Sequence, residues 1–341
     1  MATTIYAATG DALAVIRKQP RGWDTRLELV GRPTQCVAVD PFRPERVYCG
    51  TFGEGLWTSA DAGATWMPVG EGISHPELMA VAVSRTERVN GQGVVWAGTE
   101  PSKLFRSEDV GRSWVERPTL PQLPSAPTWS FPPRPGTHHV RWIEPDPNVP
   151  ERLFIGIELG GVMRSLDGGL TWEDRKPNSQ YDSHTLRAPH LAPGHLFEAA
   201  GGGFAESRDG GATWQRDDNG LPWHYLWGLA VDPADPATLV VSVSPGARQA
   251  HHGREWAEST LCRRVGDGPW QEVRDGLPER RGTFAYVLAA HDAEPHTFYA
   301  APHQGELYRS ADAGLSWEPL YAWPDGYGPK DVTGMAVVDL P

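Results

Sequence analysis

The residues of this chain best fitted for acid–base or metal chemistry are His139, His184, Glu100 and Glu158. An imidazole gains or loses a proton near neutral pH, and a neighbouring carboxylate can orient it or act as the acid partner. His139, His184 and Glu158 are therefore read as catalytic candidates. The same three could hold a divalent metal, because imidazole nitrogen and carboxylate oxygen suit transition ions. No linear signature of the HExxH kind supports a metal, and no other cofactor motif is present. Further candidates would bind rather than react. Arg134, on a Pro-stiffened segment, could clasp a carboxylate or phosphate bidentately. Trp129, Phe131 and Tyr225 offer flat faces for a sugar or aromatic ring. His138, Tyr181, Asp182, Glu100 and His303 complete the binding set, while the pair His251-His252 reads as a mobile loop. These residues lie far apart in sequence, so only the architecture can gather them.

That architecture is written in a repeat. The pattern Ser-x-Asp-x-Gly-x-Ser/Thr-Trp recurs at Ser59 to Trp66, Ser107 to Trp114, Ser165 to Trp172, Ser207 to Trp214 and Ser310 to Trp317. Two degenerate copies, Leu13 to Trp23 and Leu261 to Trp270, bring the total to seven, with the Trp residues 42 to 58 positions apart. A unit of this size cannot bury its own apolar face and must stack on its copies. Each unit reads as four short strands rich in Val, Tyr, Phe and Trp, broken by Gly, Pro and Asp. No sustained helical period appears. The expectation is an all-β, seven-bladed β-propeller spanning residues 1–341 as a single domain. The segment Ala336-Val337-Val338-Asp339 has the character of an innermost strand, and Thr4-Ile5-Tyr6-Ala7 that of its neighbour. Their pairing would close the ring and remove open sheet edges.

Composition narrows the partners. The 38 Gly and 32 Pro suit an architecture made largely of turns. A net charge of −12 argues against nucleic acid and anionic membrane surfaces. No run is long enough to span a bilayer, and no basic stretch followed by an apolar one suggests a leader. The expected location is the cytoplasm. Cys36, Cys49 and Cys262 form an odd set without metal spacing and read as small apolar residues.

The repeated box resembles the Asp-box, or BNR repeat, of sialidases, sortilin-type receptors, xyloglucan-cleaving propeller hydrolases and photosystem II assembly propellers. The whole chain looks like bacterial BNR-repeat propellers of glycosyl hydrolase-like character. The resemblance implies that each box sits in the turn between the third and fourth strands, with Asp and Ser holding the hairpin and Trp packing between blades. Local turn chemistry accounts for Asp61, Asp109, Asp167, Asp209 and Asp312. Sialidase activity is disfavoured, since those enzymes have six blades, an Arg-Ile-Pro motif and three substrate-binding arginines. The xyloglucan enzymes use two facing propellers and only one is present here, while the assembly factors carry a basic patch at odds with this charge. Fold alone does not give function.

Loop length marks the elaborated face. From Trp114 to His139 takes 25 residues, and 21 separate Val240 from Leu261; both insertions reach one face of the ring, and long loops on rigid scaffolds usually carry binding residues. Aligning the blades places Gln35, Met79, His139, His184, Trp227, Tyr286 and Gly334 where the central channel opens, with Glu100, Glu158 and His303 in the adjoining turns. The expected function is binding, with hydrolysis or lytic cleavage in view, of a small polar or carbohydrate-like ligand at that mouth. The alternative is a non-catalytic scaffold or assembly factor docking a protein partner through the same face, with Trp129 to Pro135 as the docking element.

Overall fold

The box makes its own turn. Ser107 donates its hydroxyl to Asp109 Oδ1 at 2.9 Å and accepts the Gly111 N–H at 2.8 Å. Asp109 in turn accepts the Ser113 N–H and hydroxyl at 2.9 and 2.6 Å. The boxes at Ser59, Ser165, Ser207 and Ser310 repeat these bonds. The Thr65 hydroxyl and its companion bonds hold the Asp61 carboxyl down to about 2. Gly111 has a φ of +86°, and a Cβ there would press on Tyr48 and Trp114 at 3.4 and 3.5 Å, so glycine serves both turn and packing. Because Ser107 is buried, Ser107→Ala would leave the Gly111 N–H without an acceptor. We expect a loss of about 1–3 kcal/mol, read by urea denaturation; an unchanged midpoint would show that the hydroxyl does not hold the turn.

Each turn delivers a Trp to the seam with the preceding blade. Trp114 packs with Tyr48, Leu56, Leu78 and Phe105, and its indole N–H reaches the Gly111 carbonyl at 2.9 Å. Repetition of this seam builds a ring of seven sheets. The computed structural model describes residues 2–340. Blade 1 joins Gly334–Leu340 to Ala2–Ala8, Leu13–Gln19 and Gly22–Glu28, in that order from the axis. Blade 2 runs from Thr34–Asp40 to Met67–Val69, and blade 3 from Leu78–Val89 to Val115–Glu116. Blade 4 begins at Val140–Pro145, blade 5 at Ser183–Arg187, blade 6 at Tyr225–Val231 and blade 7 at Tyr286–Ala290. The closing pair is antiparallel, with Ala2 opposite Leu340 and Ala8 opposite Gly334, as the sequence suggests.

Four strands per blade hold in six sheets; blade 4 has three. Its fourth strand shrinks to one bridge between Arg164 and Glu173. The residues that would extend it are engaged elsewhere. Asp174 accepts the Ser125 N–H at 2.8 Å, and Arg175 donates to the Thr128 hydroxyl at 3.3 Å. Both anchor the long insertion before His139, which folds into two short 3-10 turns at Leu120–Gln122 and Ala126–Thr128. The second insertion forms the short helix Ala247–His251. Among the described residues, no helix is long and apolar enough to cross a membrane. The three cysteines are free and buried.

Candidate functional site at the channel mouth

Four inner strands begin with a single-residue register shift. The unpaired residues are Gln35, Met79, Arg141 and His184, and in blade 6 the shift spans Trp227 and Gly228. A bulge bends the strand and re-aims the extra side chain, so five of the seven blades place such a residue at the opening, while the inner strands of blades 1 and 7 pair without a shift. Gly228 is required by close approach, since a Cβ would lie 2.3 Å from the Tyr286 carbonyl oxygen. This corrects the expected alignment by two residues. Arg141, not His139, is the counterpart of His184, while His139 precedes the strand Val140–Pro145.

His139 sits between two carboxylates from neighbouring blades. Its Nε2 is 2.9 Å from Glu158 Oε2, and its Nδ1 lies 3.2 Å from Glu100 Oε2. An imidazole with a carboxylate near each nitrogen is favoured in its protonated form. Burial alone would lower its pKa, but Glu100 and Glu158 outweigh that and raise it. Burial likewise favours neutral Glu100, yet His139 and Arg134 hold that carboxyl down to about 2. Arg134 grips Glu100 with two bonds of 2.6 and 2.5 Å and lies between the Phe52 and Phe131 rings. The clasp expected for a ligand is thus closed on the protein's own glutamate. Burial opposes ionisation of Glu158 too, but His139 keeps its pKa below the ordinary value.

The other half of the mouth is less committed. His184 is fully buried and its Nδ1–H donates to the Leu226 carbonyl at 2.6 Å, leaving Nε2 3.4 Å from Asp182 Oδ1. Burial depresses the His184 pKa, but Asp182 and Glu158 more than restore it and leave it raised. Its ring packs on Tyr225 and Trp227, with centroids 5.0 and 4.6 Å away. Arg141 lies over Trp227 at 4.5 Å and is 3.8 Å from Glu158. His303 pairs through Nδ1 with Asp331. His251 is folded inward rather than mobile. It reaches the Tyr225 hydroxyl at 2.9 Å and packs against Trp227 and His303; burial, with His303 beside it, drives its pKa well below the usual value. On the strand Leu196–Ala200, Glu198 is fully buried, and burial pushes its carboxyl up to about 7.

Several expected binders point elsewhere. Trp129 is buried in the core between blades 3 and 4, and its N–H donates to Ser125, so it offers no face to a ligand. His138 packs edge-on against Trp129 and, being partly buried, has a lowered pKa. Tyr181 is exposed on an outer hollow with Arg175 and Lys176, and its hydroxyl braces the Thr128 carbonyl at 2.8 Å. The long insertion braces the mouth residues themselves, Arg134 on Glu100 and Phe131 edge-on to His139 at 4.7 Å. Arg141 and Glu198 escaped sequence reasoning, and His251 was read only as part of a mobile loop. Only placing the strand start at Val140 would have found Arg141.

Below the mouth a channel of about 500 Å³ runs between the inner strands, lined by Cys36, Met79, Arg141, Thr185, Trp227 and Gly334 among others. At its far rim Arg85 pairs with Asp292, and Arg187 lies 3.8 Å from Glu144.

No protein-family model matches the chain. A curated xyloglucanase from Paenibacillus sp is 24% identical over 346 residues, covering 84% of this chain and 30% of its own length. The chain spans less than a third of the length of the curated relatives it matches. Among solved structures, an ancestral GH74 enzyme superposes with a TM-score of 0.65 at 17% identity, covering 86% of this chain and 39% of that one. YCF48 bound to D1 peptide gives 0.59 at 18% identity, covering 85% and 81%. The chain is therefore similar to xyloglucanases in sequence and shares a propeller fold with these structures.

Proposed function

We propose that the channel mouth binds a small, hydroxyl-rich, carbohydrate-like molecule. One observation carries this reading: five buried polar atoms around the opening have no partner within the protein. They are Arg141 Nε, Trp227 Nε1, His184 Nε2, Asp182 Oδ1 and His303 Nε2. Buried polar groups are nearly always paired, so an orphaned group of five marks a place for a polar ligand. Their chemistry narrows the choice. Arg141 and Trp227 donate. With Nδ1–H of His184 given to Leu226 and Nδ1 of His303 paired with Asp331, the two Nε2 atoms are acceptors when neutral, as is Asp182. A mixed set matches hydroxyls, which donate and accept at once; an anion would call for donors alone. The similarity to xyloglucanases points the same way. Burial of Trp129 removes the aromatic anchor that a protein-docking role would use.

The test titrates xyloglucan oligosaccharides and a panel of neutral and acidic sugars into the protein by calorimetry, with a reducing-end assay for cleavage. Arg141→Met should weaken binding about tenfold or more, as expected when a buried, charge-assisted contact is lost, with little change in melting temperature. Failure of the native chain to bind any sugar, or equal binding by the variant, would overturn the reading.

A further inference from the structure

We infer that Glu158, Asp182 and His184 form a binding site for one divalent first-row transition ion. The ion would take two of the five orphaned atoms named above, His184 Nε2 and Asp182 Oδ1, and leave Arg141 Nε, Trp227 Nε1 and His303 Nε2 to the sugar. One oxygen from each carboxylate and one imidazole nitrogen all lie within 4.8 Å of one another. Three acceptors gathered at one point repel each other unless a proton or cation lies between them. His184 is fully buried and its Nε2 has no partner, nor has Asp182 Oδ1. The 3.4 Å between those atoms is long for a charged hydrogen bond. It matches two ligands at about 2.1 Å from one ion, which stand about 3.4 Å apart at a near-tetrahedral angle.

The surroundings are built as metal sites are. The Nδ1–H of His184 is anchored on the Leu226 carbonyl at 2.6 Å, which directs the Nε2 lone pair toward the two carboxylates. Such outer bonds fix the tautomer and orientation of ligating histidines. Glu158 is oriented by His139 at 2.9 Å. The structure thus selects Asp182 as the third ligand and assigns His139 to positioning. One nitrogen with two oxygens favours zinc or manganese over calcium and magnesium, which prefer all-oxygen shells.

The experiment needs no sugar. Chelator-treated protein is titrated with Zn²⁺, Mn²⁺, Mg²⁺ and Ca²⁺, following heat of binding and melting temperature, with bound metal counted by elemental analysis. About one equivalent of Zn²⁺ or Mn²⁺ should bind and raise the melting temperature, and Mg²⁺ and Ca²⁺ should bind at least about tenfold more weakly. Asp182→Asn should reduce Zn²⁺ affinity about 100-fold while melting like the native chain in the absence of metal; His184→Gln should do the same. Absence of stoichiometric uptake, unchanged affinity in folded Asp182→Asn, or preference for Ca²⁺ would each overturn the assignment. Sugar binding by metal-free protein would leave the ligand reading standing without it.

Discussion

Trp114→Ala should lower the folding free energy by about 3–5 kcal/mol, the range for deleting a buried aromatic from a packed seam. Trp114 is only 6% exposed, touches side chains of two blades, and donates its indole N–H at 2.9 Å to a carbonyl of its own turn. Truncation opens a cavity between sheets that are held by their own ladders and cannot collapse to fill it. The matching change in blade 4 should be milder. Trp172 is only partly buried, and its indole nitrogen has no partner. Without a full outer strand beside it, less apolar surface is lost, so Trp172→Ala should cost about half as much. Urea denaturation of both variants checks the pair. Equal losses, or a loss below about 1 kcal/mol for Trp114, would show that the box tryptophans do not carry the seams.

Glu198→Gln should stabilise the protein at alkaline pH and leave it nearly unchanged at pH 4. Burial raises the Glu198 carboxyl from 4.5 to about 7 in the folded chain. A carboxyl raised on folding leaves stability intact below its unfolded value near 4.5. Stability then falls as pH rises toward 7 and levels off above that. The rise corresponds to about 3 kcal/mol lost across that window. Glutamine cannot ionise, yet it can still accept the Gln180 N–H that Glu198 accepts at 2.9 Å. The difference between variant and native stability, measured at steps from pH 4 to 8.5, should therefore grow along a single titration curve. A flat difference would mean that the carboxyl is hydrated and ordinary.

How far the molecule was legible follows from what the repeat does and does not encode. The boxes are local, so Ser107, Asp109, Gly111 and Trp114 announce their turn without reference to the rest of the chain. Five such announcements and two degenerate copies set the ring, and the apolar runs that pair as Ala2–Ala8 and Gly334–Leu340 set its closure. Blade 4 departs because Asp174 and Arg175 answer the insertion before His139, a distant demand that no local pattern carries. The mouth was legible in outline. His139, His184, Glu100 and Glu158 do converge, because equivalent turns of a closed ring must share one face. Roles were not legible, since they depend on register. A slip of two residues hid Arg141 behind His139, and the clasp of Arg134 on Glu100 depends on an insertion whose path no periodicity sets. Trp129 misled because a large aromatic in a long loop has two physical uses, and here packing took precedence over display.

The pairing of Gly334–Leu340 with Ala2–Ala8 orders events in time as well as space. During synthesis the inner neighbour of Ala2–Ala8 is made some 330 residues after it. At about 5–20 residues per second, that edge must wait tens of seconds on the ribosome, apolar and unpaired. Blades 2 to 7 can assemble meanwhile as an open arc. Closing the ring therefore joins strands at the greatest sequence separation in the fold, a contact that carries a high loop-closure cost.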